Sequence, residues 1–480
     1  MVFYYIIMIV KKQTMKHFIK RYYRIIVYLF GAILTKGISY LTTPIFTRMM
    51  STEEFGELSL LTTWTTIFSI FVAAQISGTI PSIYAKYKEN IDDYIRRALL
   101  LSFISLGLVL LFSIVLRNYL MKIMNIRNIF LLVLVIWIGY GKAMSNLFVS
   151  YTVQRKQAKS NVIFSSGVAL AVFVLGIVFT LFCKNNRYMG KTVAEVVVYT
   201  LVVFFILHFF DIRSSRVDVR FWREELELSV PLIFHLLATN IISQSDKVFI
   251  SNMIGLEATA IYSVSCTIGM IALVVVEAIF NVWGPWFFER VEDSANKKEI
   301  NNTFLICVLS MACIFAITMM FAREFFIIMA PDSYAGGINS TVIIALSTFF
   351  SFYYRFPLCY EQYKRKMKWV AFATALASIC NIILNYFLIP YWGIDGAAFA
   401  TLVSQIILWV IHEVVVRYKI QGYPIRLSNY LMGIIAIIPA VVLLFFNRDS
   451  ILYRIFGGSI YIGITIWIIL KKEILKKKNL

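Results

Sequence analysis

The chain has 480 residues, 60% of them hydrophobic, and carries 46 Lys and Arg against 26 Asp and Glu for a net charge of +20. Its mean hydropathy is +0.77, and its apolar content exceeds the roughly 45–50% of soluble domains, which excludes a soluble globular protein. The apolar residues fall in blocks of about 20, the length of helix that crosses about 30 Å of hydrocarbon, so the basic excess reports topology first and nucleic acid is set aside as a partner.

Residues 1–10 are apolar but too short to span, and they run into Lys11 and Lys12 rather than a cleavage site. They read as an interfacial segment, or as untranslated sequence if synthesis begins at Met15. Apolar blocks bounded by charge then predict about fourteen transmembrane helices, at 22–47, 57–80, 98–116, 129–150, 162–183, 192–210, 229–253, 260–286, 302–321, 340–358, 369–389, 395–416, 429–446 and 452–470. With the N-terminus inside, most Lys and Arg fall in inner segments, among them Lys86, Arg97, Arg155, Arg223, Lys364, Arg417 and the tail Lys476-Lys477-Lys478. That bias places both termini in the cytoplasm.

Two segments repeat at nearly one offset. Thr52 to Leu60 aligns with Leu256 to Val264 at 204 residues, and Tyr188-Met189-Gly190 aligns with Tyr391-Trp392-Gly393 at 203. Transporters are commonly built from such related halves. The expected architecture is therefore an all-α integral membrane protein of two six-helix lobes plus two C-terminal helices. Its parts are a cytoplasmic or interfacial N-terminus (1–21), an N-lobe (22–211), a basic linker (212–228), a C-lobe (229–417), and a last helix pair with its basic tail (418–480).

No catalytic residues are evident: the longest outer stretch, 322–339, reads as a turn, whereas membrane polymerases and glycosyltransferases expose a large loop with acidic or His residues. The cysteines (Cys183, Cys266, Cys307, Cys313, Cys359, Cys380) stand singly, and His17, His208, His235 and His412 are scattered, so neither a metal site nor a cofactor is implied. Charges inside the spans are more informative, because ionisable groups at membrane depth cost roughly 2.5–3.5 kcal/mol on insertion scales and face a cavity or a partner. They are Lys36, Lys142, Asp246, Lys247 and Glu277. Lys36 lies mid-span and suits a cavity or a buried ion pair. Lys142, beside Gly139, Gly141, Ser145 and Asn146, suits either a wet path or close helix packing. Asp246 and Lys247 lie toward the outer end of the seventh span, where snorkelling with local pairing competes with a role in transport. Glu277 suits a structural charge pair or ion coupling. The three lysines suit an anionic ligand such as a pyrophosphate.

Thr43-Pro44-Ile45-Phe46-Thr47-Arg48 followed by Glu54-Phe55-Gly56, Val230-Pro231-Leu232-Ile233, Asp246-Lys247-Val248-Phe249-Ile250 followed by Ile261-Tyr262-Ser263, and Gly393-Ile394-Asp395-Gly396-Ala397-Ala398 followed by Ala400-Thr401 together resemble the polysaccharide flippase (Wzx type) branch of the multidrug/oligosaccharidyl-lipid/polysaccharide exporter (MOP) superfamily. The resemblance spans roughly 18–417. It implies a two-lobed bundle opening alternately to either side, which moves an undecaprenyl-pyrophosphate-linked oligosaccharide across the cytoplasmic membrane for surface polysaccharide (O-antigen or capsule) biosynthesis. It also implies basic cavity residues, for which Lys36, Lys142 and Lys247 are the counterparts by placement, and working partners in a polysaccharide polymerase and priming glycosyltransferases. Lys247 departs from the family, where Arg is common. The rival readings are a cation-coupled multidrug antiporter, with Asp246 and Glu277 as the coupling acids, and a membrane polymerase or ligase.

Overall fold

The computed structural model describes residues 15–214, 217–446, 452, 454–463 and 465. The expected interfacial segment 1–10, the basic tail and the end of the last span lie outside the described residues. Every regular element among the described residues is helical. In order these are α1 (Met15–Met49), α2 (Thr52–Phe71), α3 (Ile76–Tyr87), α4 (Ile91–Val115), α5 (Arg117–Met124), α6 (Ile129–Gln154), α7 (Ala158–Phe182) and α8 (Arg187–Phe209). There follow α9 (Val219–Met253), α10 (Leu256–Gly269), α11 (Leu273–Phe288), α12 (Lys297–Met320), α13 (Ala322–Met329), α14 (Ile338–Tyr363), α15 (Met367–Val414) and α16 (Leu427–Phe446).

Eight of the described helices are long and apolar enough to cross a membrane, or ten if each of two bent pairs counts as one span. The bent pairs are α2 with α3, at 42°, and α10 with α11, at 43°, where the sequence predicts the single spans 57–80 and 260–286. The first break places Ala74 and Gln75 at φ 47° and 51°, in the left-handed region that non-glycine residues rarely occupy. α15 carries the predicted spans 369–389 and 395–416 on either side of Gly393, whose φ of 57° and ψ of −136° interrupt the helix. The stretch 322–339, read from sequence as a turn, forms α13 and a 3-10 turn, Asp332–Gly337.

The chain divides into two compact units, Met1–Thr42 with Leu61–Phe234, and Thr43–Leu60 with His235–Leu480. In the first, an aromatic cluster joins α6, α7 and α8: Phe148 lies 4.5 Å from Phe164 and 5.3 Å from Phe205, centroid to centroid. A side chain at Gly190 would sit 2.7 Å from the Phe179 and Thr180 backbone, so α7 and α8 approach closely. The segment read as a basic linker is held here through its acids. Asp218 accepts from Arg97 at 2.7 Å, Glu224 from Lys86 and Tyr87 at 2.7 Å, and the fully buried Glu225 from Thr79 and Tyr94 at 2.8 and 2.9 Å.

In the second unit the core is aromatic, centred on Trp283, Phe304, Phe349, Tyr353, Phe356, Trp409 and Tyr430. Residues 43–60, placed by sequence within the N-lobe, pack in this unit. At the start of α2, Ser51 and Glu54 cap one another reciprocally, backbone N–H to side chain, at 3.0 and 3.2 Å. Tyr430, Ile437 and Ala440 of α16 lie in the same core, and Tyr353 donates to the Tyr430 carbonyl at 2.9 Å.

Candidate functional site

Lys36 stands on a helix with three distinct faces. Gly31 and Thr35 pack α1 on α7, where a side chain at Gly31 would meet Val162 at 2.4 Å and Thr35 Oγ1 lies 3.4 Å from Ser166 Oγ. Phe30, Leu34 and Leu41 make an exposed apolar face. Lys36, Ser39 and Tyr40, at helical spacing, make a polar third face. Lys36 is exposed and forms no ion pair among the described residues; a polar stripe at membrane depth faces water or protein rather than lipid.

Lys142 is paired. Its Nζ donates to Thr65 Oγ1 at 2.8 Å and lies 3.9 Å from Glu195 Oε2. The other oxygen of Glu195 is 3.5 Å from Lys191 Nζ, which also donates to the Val172 carbonyl at 3.2 Å. The neighbouring glycines serve packing: a side chain at Gly139 would press on the Thr65 carbonyl at 3.1 Å, and one at Gly141 on Tyr199 at 2.3 Å. Two lysines therefore share one carboxylate within the first unit, and Lys142, with 20% of its side chain accessible against 6% for Lys191, is the one solvent can reach. Sequence reading passed over Glu195, although it lies inside the predicted sixth span and four residues beyond Lys191.

In the second unit Asp246 is buried and takes its hydrogen bonds from neutral groups: Tyr262 and Thr401 hydroxyls at 2.5 Å each, and Asn385 Nδ2 at 2.7 Å. Asn385 also donates to Asn381 Oδ1 at 3.1 Å, and Ser245 donates to the same oxygen at 2.8 Å. The snorkelling geometry considered for Asp246 is thus replaced by a buried oxygen-rich network drawn from α9, α10 and both halves of α15. Asn385 Oδ1, inside it, has no hydrogen-bond partner among the described residues. Lys247 is half-buried and Glu277 is exposed on α11; neither forms an ion pair among the described residues.

The same unit holds a cavity of about 260 Å³ reached by His235, Tyr354, Thr401, Gln405 and His412. At one end His412 Nδ1 lies 2.9 Å from Glu361 Oε2, both residues being fully buried, and Tyr354 stacks on the imidazole at 5.9 Å. Sequence reading had set His412 and His235 aside as scattered; the fold brings both to one cavity.

Residues 24–291 match the family model for polysaccharide biosynthesis proteins. An uncharacterized membrane protein of Haemophilus influenzae is 22% identical over 386 residues, covering 77% of this chain and 93% of that protein. A second H. influenzae protein, Lsg locus putative protein 1, is 20% identical over 392 residues, covering 78% and 94%. Among solved structures, the lipid II flippase MurJ in an inward closed conformation superposes with a TM-score of 0.66 at 15% identity, covering 94% of this chain and 99% of its own. An inward-facing multidrug resistance MATE family transporter of the MOP superfamily superposes with a TM-score of 0.57 at 15% identity, covering 86% and 96%. At those identities the shared property is the fold.

Proposed function

Because the chain belongs to the polysaccharide biosynthesis protein family, we propose that this multi-pass membrane protein is a flippase of the Wzx type, which carries an undecaprenyl-pyrophosphate-linked oligosaccharide from the cytoplasmic to the outer leaflet by alternating access. The observation that carries the reading is the Lys142–Glu195–Lys191 cluster, where two lysines meet one carboxylate. A cluster with more lysines than carboxylates at membrane depth favours an anion, and a pyrophosphate can be met by Lys as a point charge. Lys142 is the accessible member, Lys36 adds a second basic group on the polar face of α1, and Lys247 is the counterpart in the second unit.

The test is the sidedness of the lipid-linked oligosaccharide after depletion of this protein, with the glycan's assembly enzymes intact and no redundant flippase present. Accumulation on the cytoplasmic leaflet supports the reading, and normal outward transfer rejects it. A polysaccharide polymerase and priming glycosyltransferases would then be its working partners.

Asp246 is assigned the coupling role. A buried carboxylate among hydroxyl and amide oxygens, with an unpartnered amide oxygen beside it, suits a small monovalent cation. Sodium chloride is expected to raise the melting temperature of the purified protein relative to choline chloride, and Asp246→Asn to remove that increment; at a hundredfold excess over Kd the linkage is worth about 2.7 kcal/mol. The same network, with the MATE-like fold, is what favours a cation-coupled multidrug antiporter as the second reading. Efflux of a cationic dye that is lost in Asp246→Asn would favour it.

A further inference from the structure

The cavity of the second unit has a largely apolar wall, with Ile242, Leu273, Leu358, Val370 and Leu408 among its residues, into which three helices set rows of polar side chains. Along α14 the lining runs Ser347, Ser351, Tyr354 and Gln362; along the second half of α15 it runs Thr401, Gln405 and His412. These spacings of three, four, seven and eight keep to one face of a helix. α9 closes the third side with Thr239 and Ser243, one turn short of Asp246. At 1.5 Å per residue the stretch from Ser347 to Gln362 is about 22 Å long, so the cavity is elongated along the helices.

Each end meets a buried carboxylate. Thr401 belongs both to the cavity wall and to the Asp246 network, donating to Asp246 at 2.5 Å. At the other end, next to the basic segment that contains Lys364 and Lys366, stands the His412–Glu361 pair. Between and around them three buried oxygens lack a hydrogen-bond partner among the described residues: Asn385 Oδ1, Gln405 Oε1 and Glu361 Oε1. Unmatched acceptors at that depth call for a bound donor or cation. The described lining contains no Lys or Arg; its two histidines are His235 and His412, the latter paired with Glu361, and its hydroxyl and amide oxygens can stand in for part of a cation's hydration shell.

We propose that this cavity is the entry passage of a small monovalent cation, which moves from the His412–Glu361 end past Gln405 to the Asp246 network, with Thr401 as the last wall contact before it. The passage rests on the coupling role assigned to Asp246, and the experiment separates the two. Binding of radiolabelled sodium to the purified protein is followed in time for the wild type, Asp246→Asn and Ser351→Leu, with potassium and choline chlorides as competitors. The wild type is expected to bind sodium in a manner competed by potassium or unlabelled sodium but not by choline, and Asp246→Asn to bind none. Ser351→Leu, which fills the middle of the cavity with an apolar side chain far from Asp246, is expected to reach wild-type occupancy about tenfold more slowly. Wild-type kinetics in Ser351→Leu, with sodium bound normally, overturn the passage and leave the Asp246 site standing; absence of sodium binding in the wild type overturns both. As a check that does not depend on the folding of a filled cavity, Gln405→Cys is expected to react with a small cationic thiol reagent faster than the wild-type background, and sodium to slow that reaction. A cysteine there that does not react counts against the passage.

Discussion

Lys36 and Lys142 are the same residue type in different surroundings, and they predict different mutant behaviour. Lys36 has a polar exposed face and no ion-pair partner among the described residues, so its removal should affect transport rather than stability. Lys36→Ala is expected to impair oligosaccharide transfer more than Lys36→Arg, both at wild-type membrane abundance; full activity in both variants would take Lys36 out of the site. Lys142 and Lys191 share Glu195, and breaking a buried ion pair by removing one partner costs about 3–5 kcal/mol. Glu195→Gln should therefore lower abundance and melting temperature, and the double variant Glu195→Gln with Lys191→Met should recover part of the loss, measured by thermal unfolding of the purified proteins. Asp246 was visible in the sequence as an embedded charge, but its donors were not, because Tyr262, Asn385 and Thr401 lie from 16 to 155 residues away and polar residues of that kind are common on packed membrane helices.

Among the elements, the bends and close approaches are the features that periodicity does not report. The spans 57–80 and 260–286 are continuous apolar runs, yet each breaks, at 42° and 43°, because apolarity specifies burial in lipid and says nothing about helix continuity. Two glycines mark where backbone geometry is under constraint. A side chain at Gly56 would lie 1.9 Å from the Leu256 carbonyl oxygen, so Gly56→Ala must push apart the start of α2 and the start of α10, at about 1–3 kcal/mol by the measure of overpacked cores. Gly393, at φ 57° and ψ −136°, occupies a conformation nearly reserved for glycine, and Gly393→Ala should cost about 1–3 kcal/mol. Gly107 is the control: nothing lies within 4 Å of its added side chain, so Gly107→Ala should be neutral or stabilising by about 1 kcal/mol through helix propensity. Thermal unfolding of the three variants side by side checks the order.

At the scale of the molecule, the C-terminal helices behave as part of the second unit rather than as an attachment to it. Tyr430, Ile437 and Ala440 belong to its aromatic core, Asn429 donates to Asn301 at 2.8 Å, and Arg454 donates to Glu324 at 2.9 and 2.5 Å. A chain truncated after Ile420 is therefore expected to lose membrane accumulation altogether, read by quantitative blotting of membrane fractions; wild-type abundance would mean that the core closes without them. The all-helical, membrane-spanning character of the protein and its kinship with polysaccharide biosynthesis proteins were legible from sequence, because both rest on features that survive without tertiary contacts: the length and apolarity of successive blocks, and short motifs quoted residue by residue. The sequence also named five embedded charges, Lys36, Lys142, Asp246, Lys247 and Glu277, since a charged residue inside an apolar run is conspicuous wherever it points, but it passed over Glu195 near the start of its span. What only the tertiary structure decided was the company those charges keep. Whether Lys142 stood alone or met Glu195, whether Asp246 snorkelled or was held by three neutral donors, and whether His412 was an isolated histidine or half of a buried pair with Glu361, depended on which helix faces pack together. Periodicity along one helix cannot specify its rotation against another, and distances of a few ångströms between residues far apart in the chain are set by that rotation.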